Sequence, residues 1–325
     1  MPKLPGIKDS VLSRIWDELK HINYQQVNDK AAMTYTLCIA GTEAETDEIS
    51  SWLGRIEYPL LRSVLEDKET VQAENTARMR RRLRRVKLQD EGDIAALAEE
   101  HRAMLRSALL VITTPRWATL LTPHADRVYL YEPSGAEELA EEILNDHPGE
   151  QFALSHVFPA FRTVHARREI RATAMQNAGW ALFTAAPNLV PNPGQVVTIP
   201  AEALSDFVVL TVNEIKMMFE LVALSGRKVQ PLQCFPEMGI ILGLAKLAES
   251  AATNLVGKAP GAGPAIKGGV AYAFTSAIGE AIFIYEIAGV QVGKDFLEER
   301  ARVWYDEGKK TATELLDKAK KKLRN

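Results

Sequence analysis

The stretch TYTLCIAGTEAETDE, residues 34–48, decides the fold of the first half of the chain. Residues 34–40 form a short apolar run with β-branched and aromatic members, which is typical of a buried strand. A glycine ends the run, and Thr42 followed three residues later by Glu45 is the signature of a capping box at a helix start. The stretch therefore predicts a strand that turns directly into a capped helix.

In open α/β folds a turn of this kind is where a nucleotide phosphate binds, because the helix amides point there and the helix dipole favours negative charge. Here acidic residues fill the opening turns of the helix, at Glu43, Glu45, Asp47 and Glu48. Their charge satisfies the dipole and would repel a phosphate. The chain also contains neither G-x-x-x-x-G-K-[ST] nor N-K-x-D. We therefore expect no nucleotide at this turn, and no cofactor.

Three further short apolar runs indicate strands: SALLVIT (107–113), DRVYLYE (126–132) and QFALSHV (151–157). Helical patterns separate the runs, and a first helix is predicted over 11–30 from its apolar spacing. This alternation predicts an α/β domain with a small parallel sheet and flanking helices, which is degenerate in that it lacks the phosphate loop.

Two later turns of this domain also carry helix-start signals. TTPRWA places Pro115 at the first helical position, and EPSGAEE offers Ser134 and Glu137 as a second capping box. Both turns are structurally ordinary and carry no residue pattern for phosphate binding.

Composition limits the function classes further. The chain has 325 residues, of which 46% are hydrophobic and 25% charged, and a formal net charge of -3, as in an ordinary soluble protein without a global preference for nucleic acid. It has two cysteines, no secretory signal at its start, and no histidine or cysteine spacing of a metal site. No nucleophile signature appears. These observations predict a cytoplasmic protein that is not an enzyme.

The second half lacks strand signals and predicts helices: about Val164 to Ala186, Ala201 to Ser225 ending at Gly226, one near Pro236 and one near Pro264. Small residues recur every four positions at Gly239 and Gly243, and again from Gly269 to Ala281, which favours close helix packing. The uncharged residues 172–201 contain four prolines, so we interpret them as a broken hairpin among packed helices. Val270–Val290 is long enough to span a membrane, but Glu280 at its midpoint opposes insertion by about 2.5–3.5 kcal/mol.

Four segments of this half resemble a known family: FPAFR (158–162), NAGWALFTAAPNLVP (177–191), VLTVNEIKMMFELVALSGR (209–227) and LVGKAPGAGPAIKGGVAYAFTSAIGEA (255–281). They are similar to the YcjF-like helical domain, a domain of unknown function. That domain is often found after Era-like GTPase domains or in proteins predicted to associate with membranes. The resemblance implies a GTPase-linked, membrane-associated helical domain over 159–325, which follows a degenerate, GTPase-like α/β domain over 1–158.

ARMRRRLRRVKL predicts one strongly basic amphipathic helix. Its basic residues form a candidate patch for an anionic partner: Arg78, Arg80, Arg81, Arg82, Arg84, Arg85 and Lys87. The partner could be an anionic membrane surface, an acidic protein or RNA. The absence of interleaved aromatic residues speaks against single-stranded nucleic acid, which remains an open alternative. A solvated helix whose arginines pair with Glu74, Asp90 and Glu91 explains the pattern equally well.

Three other patterns have a structural interpretation beside a functional one. His156 and His165, with Glu169, could form an acid–base pair, although isolated histidines are usually structural. GKAPGAGPAIKGG suits a tight turn between helices better than a phosphate loop. The basic C-terminal helix is best explained as a solvated surface helix with one apolar side.

Together these patterns predict a non-catalytic partner or regulator in a GTPase-linked system, with a GTPase as its protein partner. We expect it to be peripheral to the inner face of the membrane. A nucleotide-dependent switch with an atypical site and RNA binding through residues 78–87 remain the alternatives.

Overall fold

The computed structural model describes residues 9–61, 69–185, 206–234, 237–245 and 263–324. Contacts divide the chain into two compact units. The α/β unit comprises Gln25–Ala166 and Ala223–Lys228, and the helical unit comprises the described parts of Met1–Tyr24, Arg167–Val222 and Val229–Asn325. The domain boundary between 158 and 159 stays a prediction, because compact units are a coarser description than folding domains.

The sheet has four parallel strands in the order β2-β1-β3-β4. The strands are β1 (Leu37–Gly41), β2 (Leu83–Lys87), β3 (Leu110–Thr113) and β4 (Val128–Leu130). β1 is central, and its Leu37 pairs with Leu83 of β2 and Leu110 of β3. A small parallel sheet with flanking helices, followed by a largely helical region, confirms the predicted fold class.

The helices follow in chain order. The first ten are α1 (Asp9–Leu19), α2 (Tyr24–Ala31), α3 (Glu43–Leu53), α4 (Glu69–Arg82), α5 (Gly92–Ala95), α6 (Glu99–Ser107), α7 (Pro115–Leu121), α8 (Ala136–Asp146), α9 (Gln151–Val157) and α10 (Pro159–Ala185). They are followed by α11 (Asp206–Leu224), α12 (237–245), α13 (Pro264–Ala288) and α14 (Lys294–Arg324).

Helices cover both faces of the sheet, as the alternating side chains of β1 show. Leu37 and Ile39 belong to one buried apolar cluster, and Cys38 and Ala40 to another. Successive residues of a strand point to opposite faces, so two clusters require packing on both sides. This arrangement is the one expected for parallel strands made of continuous apolar runs.

The prediction of a strand at 151–157 is wrong, because these residues form the helix α9. Phe152, Leu154 and Val157 are buried in it, as they would be in a core strand. A short run that is apolar at most positions shows neither the period of a helix nor that of a strand, so the sequence alone does not distinguish a helix from a strand here.

The prediction of one basic helix over residues 78–87 is also wrong at its second half. The helix α4 ends at Arg82, and the next five residues, LRRVK, form the edge strand β2. Val86 is buried at 1% exposure, whereas Arg84 and Arg85 are exposed. Charged residues on an edge strand discourage pairing with other chains, and here they also concealed the strand pattern.

Other local predictions had mixed outcomes. The single opening helix over 11–30 is two helices, α1 and α2, separated at residues 20–23. Pro115 does begin α7, as predicted. The capping box of Ser134 and Glu137 is wrong, because α8 begins after Gly135 without a side-chain cap.

The helical unit shows the close packing that its small residues indicated. A Cβ added to Gly269 of α13 would lie 3.0 Å from the backbone of Lys309, and one added to Gly308 of α14 would lie 2.7 Å from the Gly269 carbonyl oxygen. The two backbones therefore touch at this point, where only glycine fits. Residues 186–205 and 246–262 lie outside the described residues, and with them most of the proposed hairpin and residues 257–262 of the GKAPGAGPAIKGG turn.

Of the helices described, α13 is long and apolar enough to cross a membrane. In the structure 83% of its apolar window is buried by protein. Its Glu280 is 5% exposed and forms a two-bond ion pair with Arg300 of α14. A core helix of a soluble protein has the same properties, so this helix does not by itself indicate a membrane span.

The C-terminal part of α14 has the one-sided pattern that the sequence indicated. Ala312, Leu316 and Ala319 are buried, while Lys318 and Lys320 are exposed.

Candidate functional site

The strand order places a ligand-binding position between β1 and β3. The sheet begins with β1 and adds β2 on one side and then β3 on the other. The side on which strands are added therefore changes between β1 and β3, while the strands stay parallel. Doubly wound sheets bind their ligands at such a switch point, outside the carboxyl ends of the strands. Thr42 follows β1 and Thr114 follows β3, so both lie at this edge.

The carboxylate of Glu45 occupies the switch point. Its Oε2 accepts hydrogen bonds from the Thr42 backbone N–H at 2.7 Å, from the Thr42 hydroxyl at 2.8 Å and from the indole of Trp117 at 2.8 Å. Its Oε1 accepts a hydrogen bond from the hydroxyl of Thr114 at 2.7 Å. One side chain thus joins the turns that follow β1 and β3, and the capping box of Thr42 and Glu45 is confirmed.

Glu45 stays ionised at every physiological pH. Partial burial alone raises the pKa of this carboxyl, but the hydrogen bonds from Thr114, Trp117 and Thr42 outweigh burial and lower the pKa to about 2. A Cβ added to Gly41, whose φ is +153°, would lie 3.0 Å from Glu45 Oε2. The position that would hold a ligand anion at a helix N-terminus therefore holds an anion of the protein itself.

The seven basic residues of the candidate patch are divided between two elements. Arg78, Arg80, Arg81 and Arg82 lie on α4, and Arg84, Arg85 and Lys87 lie on β2. The structure therefore brings them to one corner of the α/β unit, but as a helix end and an edge strand rather than along one helix face.

Two basic residues of β2 form ion pairs with acidic residues of α3, and neither of them pairs with Asp90 or Glu91. Arg85 forms an ion pair with Asp47, and Lys87 Nζ lies 2.5 Å from Glu43 Oε1. Arg84 Nη1 donates to the backbone carbonyls of Arg80 and Arg81 at the end of α4. The side chain of Glu74 lies outside the described residues. The acidic residues at the start of α3 thus form ion pairs with the basic edge strand, in addition to compensating the helix dipole.

The four arginines of α4 differ in their surroundings. Arg82 lies over the ring of Tyr35, and Arg78 Nη1 donates to the backbone carbonyl of Ser225. Arg80 and Arg81 are exposed, and their guanidinium groups form no hydrogen bond or ion pair with any residue that the structure describes. These two residues are therefore members of the patch whose charge no residue in the described part of the chain neutralises.

Each of the two histidines has a hydrogen-bond partner in the structure, and their role with Glu169 as an acid–base pair stays a prediction. His156 Nδ1 donates to the Ala223 carbonyl at 2.7 Å, and burial lowers its pKa. His165 Nδ1 lies 3.0 Å from the hydroxyl of Ser155. Arg162, which is 1% exposed, donates to the carbonyls of Ser155 and His156. The sequence did not single out Arg162, and its contacts tie the end of α9 to α10.

A buried polar network lies within the helical unit, on α10, α11 and α13. Asn213 Nδ2 donates to Asn177 Oδ1, Asn177 Nδ2 donates to the Thr275 hydroxyl, and that hydroxyl donates to Glu214 Oε1. Asn213 Oδ1 and Glu214 Oε2 are buried without a hydrogen bond. Burial raises the pKa of Glu214 to about 8, against the lowering effect of the Thr275 bond. Glu214 is therefore a neutral acid at pH 7.

We expect the stability of the protein to fall as pH rises from about 5 to about 8. The unfolded chain releases the Glu214 proton near pH 4.5 and the folded protein keeps it until about pH 8, so the folded state is favoured by protonation and loses this advantage across that window. Glu214→Gln mimics the neutral acid. In this variant the midpoint of urea unfolding should depend less on pH over this range than in the natural protein. Glu314→Gln, on the exposed side of α14, is the control and should leave the pH dependence unchanged. If the urea midpoint of Glu214→Gln fell with pH as steeply as that of the natural protein, Glu214 would not be the group responsible.

Among the described residues no group of three or more histidine, cysteine, aspartate or glutamate side chains is placed to hold a metal ion. Cys38 and Cys234 are both buried thiols. Comparison with family models, with curated proteins and with solved structures gave no match. The resemblance to the YcjF-like domain therefore stays an expectation from the sequence.

Proposed function

We propose that this protein is a non-catalytic binding protein that docks through the α4–β2 corner onto the anionic inner face of a membrane, as a partner or regulator in a GTPase-linked system. The α4–β2 corner denotes Arg78, Arg80, Arg81 and Arg82 of α4 with Arg84, Arg85 and Lys87 of β2. The observation that carries the proposal is the contrast between two anion positions. One, at the sheet edge, is filled by Glu45, and the other, at Arg80 and Arg81, is exposed.

The non-catalytic part of the proposal rests on the switch point. A phosphate there would have to displace a carboxylate that is held by two hydroxyls, an indole and a backbone amide. It would also meet the charges of Glu43 and Glu45. This arrangement weighs against the alternative of a nucleotide switch at the same edge.

The membrane part rests on charge. Each lysine or arginine near an anionic lipid surface contributes about 1 kcal/mol to binding, and clusters of four to eight are typical of such contacts. Ion pairing with α3 reduces the contribution of Arg85 and Lys87, so Arg80 and Arg81 should dominate. The link to a GTPase rests on the family resemblance of the helical region alone.

Co-sedimentation of the full chain with vesicles tests the membrane part. We expect binding to vesicles with phosphatidylserine, no binding to phosphatidylcholine alone, and steep weakening with salt. Arg80→Gln with Arg81→Gln should weaken binding by about 2 kcal/mol, roughly thirtyfold. Arg302→Gln with Lys310→Gln removes the same charge from exposed positions of α14 and should have little effect. Absence of binding at low salt, or equal loss in both double variants, would refute the proposal.

A pull-down with the full chain tests the GTPase link. We expect a GTPase among the proteins retained from the native cell, and retention that depends on whether GTP or GDP is supplied. Recovery of lipid without a GTPase would refute the link to a GTPase and would leave the proposal of membrane docking unchanged.

A further inference from the structure

A cavity of about 400 Å³ opens at the α4–β2 corner. Its walls come from three elements of the α/β unit: Ser50 on α3, Thr76, Met79 and Arg80 on α4, and Leu83 and Arg85 on β2. The volume falls within the range of sites for small ligands, roughly 300–1,000 Å³. No local sequence pattern indicates this cavity, because Ser50 and the α4–β2 residues are far apart along the chain.

The rim of the cavity is suited to an oxyanion. Arg80 and Arg85 both line it, and the guanidinium of Arg80 has no ion pair with a described residue. Arg85 uses Nη1 for Asp47, which leaves further N–H groups of its planar fork for a second acceptor. Arginine binds phosphate through paired N–H bonds, and neighbouring hydroxyls such as that of Ser50 extend the same donor set.

Two residues of the cavity wall, Met79 and Leu83, are apolar. Met79 is 5% exposed and belongs to the core cluster on one face of the sheet, and Leu83 packs against that cluster. An apolar interior with a few convergent polar groups is the usual arrangement of a ligand site, because the apolar part supplies burial and the polar part fixes orientation. A free inorganic anion would use the rim alone.

We propose that this cavity binds a ligand in which a phosphate group is attached to a small apolar body. The proposal rests on the function proposed above for the same corner, and it names the chemistry that the corner recognises. Two sources present this chemistry: a soluble phosphate monoester, and the head group of a lipid such as phosphatidic acid together with the start of its acyl chains. In both, Arg80 and Arg85 hold the phosphate and Met79 and Leu83 contact the apolar part.

Calorimetric titration of the full chain with phenyl phosphate tests the site. We expect saturable binding by phenyl phosphate and at least tenfold weaker binding by inorganic phosphate or by phenol, since each fills half of the cavity. Arg80→Gln should weaken phenyl phosphate binding about tenfold or more, and Arg85→Gln likewise. Arg302→Gln is the control, because Arg302 is an exposed arginine of α14 and does not line the cavity; it should change the affinity by less than about twofold.

The result that overturns the inference is no saturable binding of phenyl phosphate, or an equal loss in the Arg80 and Arg302 variants. Vesicles separate the two sources. A preference for phosphatidic acid over phosphatidylserine at matched surface charge, lost in Arg80→Gln, assigns the lipid, and phenyl phosphate binding without that preference assigns a soluble ester. No saturable binding of phenyl phosphate, together with binding to anionic vesicles that Arg80→Gln with Arg81→Gln weakens, refutes the cavity and leaves the proposed membrane role in place. Circular dichroism confirms that each variant is folded.

Discussion

Arg300→Ala should lower the free energy of unfolding by about 3–5 kcal/mol, because it leaves Glu280 buried without its partner. In the folded protein Arg300 Nε lies 2.6 Å from Glu280 Oε2, and Nη2 lies 2.8 Å from Oε1. The Glu280 side chain is 6% exposed and that of Arg300 is 19% exposed. Water can therefore do little to compensate the carboxylate once the arginine is gone.

Urea unfolding of the purified variants measures this effect. Arg302→Ala is the control, since Arg302 is an exposed arginine on the same helix and should change stability by less than about 0.5 kcal/mol. Adding Glu280→Gln to Arg300→Ala should recover part of the loss, because it removes the buried charge. A loss below about 1 kcal/mol in Arg300→Ala would mean that the pair is open to water, and the packing of α13 on α14 described here would be wrong.

Glu45→Ala should cost about 2–4 kcal/mol. It removes the reciprocal half of the capping box, and loss of a cap costs about 1 kcal/mol. It also leaves the indole N–H of Trp117, a residue with 0% exposure, without its acceptor, which costs about a further 1–3 kcal/mol. Glu48→Ala, on the exposed side of the same helix, is the matched control and should be nearly neutral. Thermal and urea unfolding give both values.

The pH dependence of this difference follows from the pKa of Glu45. The folded-state pKa is about 2 and lies below that of the unfolded chain, near 4.5, so the stabilisation is fully present above pH 4.5 and is lost as the pH falls toward 2. The gap between the natural protein and Glu45→Ala should therefore narrow on acidification through this window. A gap that stays constant down to pH 2 would show that the carboxylate contributes nothing in its ionised form.

Local patterns in the sequence predicted the elements whose signal is local. The Thr-x-x-Glu spacing identified the capping box of α3, and three of four expected strands were correct because their apolar runs are short and bounded by turns. The failures came where two structures share one pattern. QFALSHV is apolar on most sides as either a helix or a strand, and the arginines of LRRVK hid an edge strand whose only fully buried side chain is Val86.

The site depended on contacts between distant parts of the chain. The acidic start of α3 predicted an anion-repelling turn, but nothing near Glu45 indicated that Thr114 and Trp117 would donate to it. The acids expected to pair with the basic residues were chosen for nearness in sequence, whereas parallel pairing of β2 with β1 brings Asp47 beside Arg85 and Glu43 beside Lys87. The close approach at Gly269 was indicated by its spacing, but its partner Gly308 was not.

Calorimetric titration of the full chain with magnesium-bound GTP and ATP tests the central claim, that Glu45 has taken the place of a ligand phosphate at the switch point between β1 and β3. The account predicts no saturable heat at physiological salt, in parallel with intact binding of anionic vesicles through Arg80 and Arg81. Saturable binding of either nucleotide with a micromolar Kd, weakened by substitutions at Thr42 or Thr114, would contradict it.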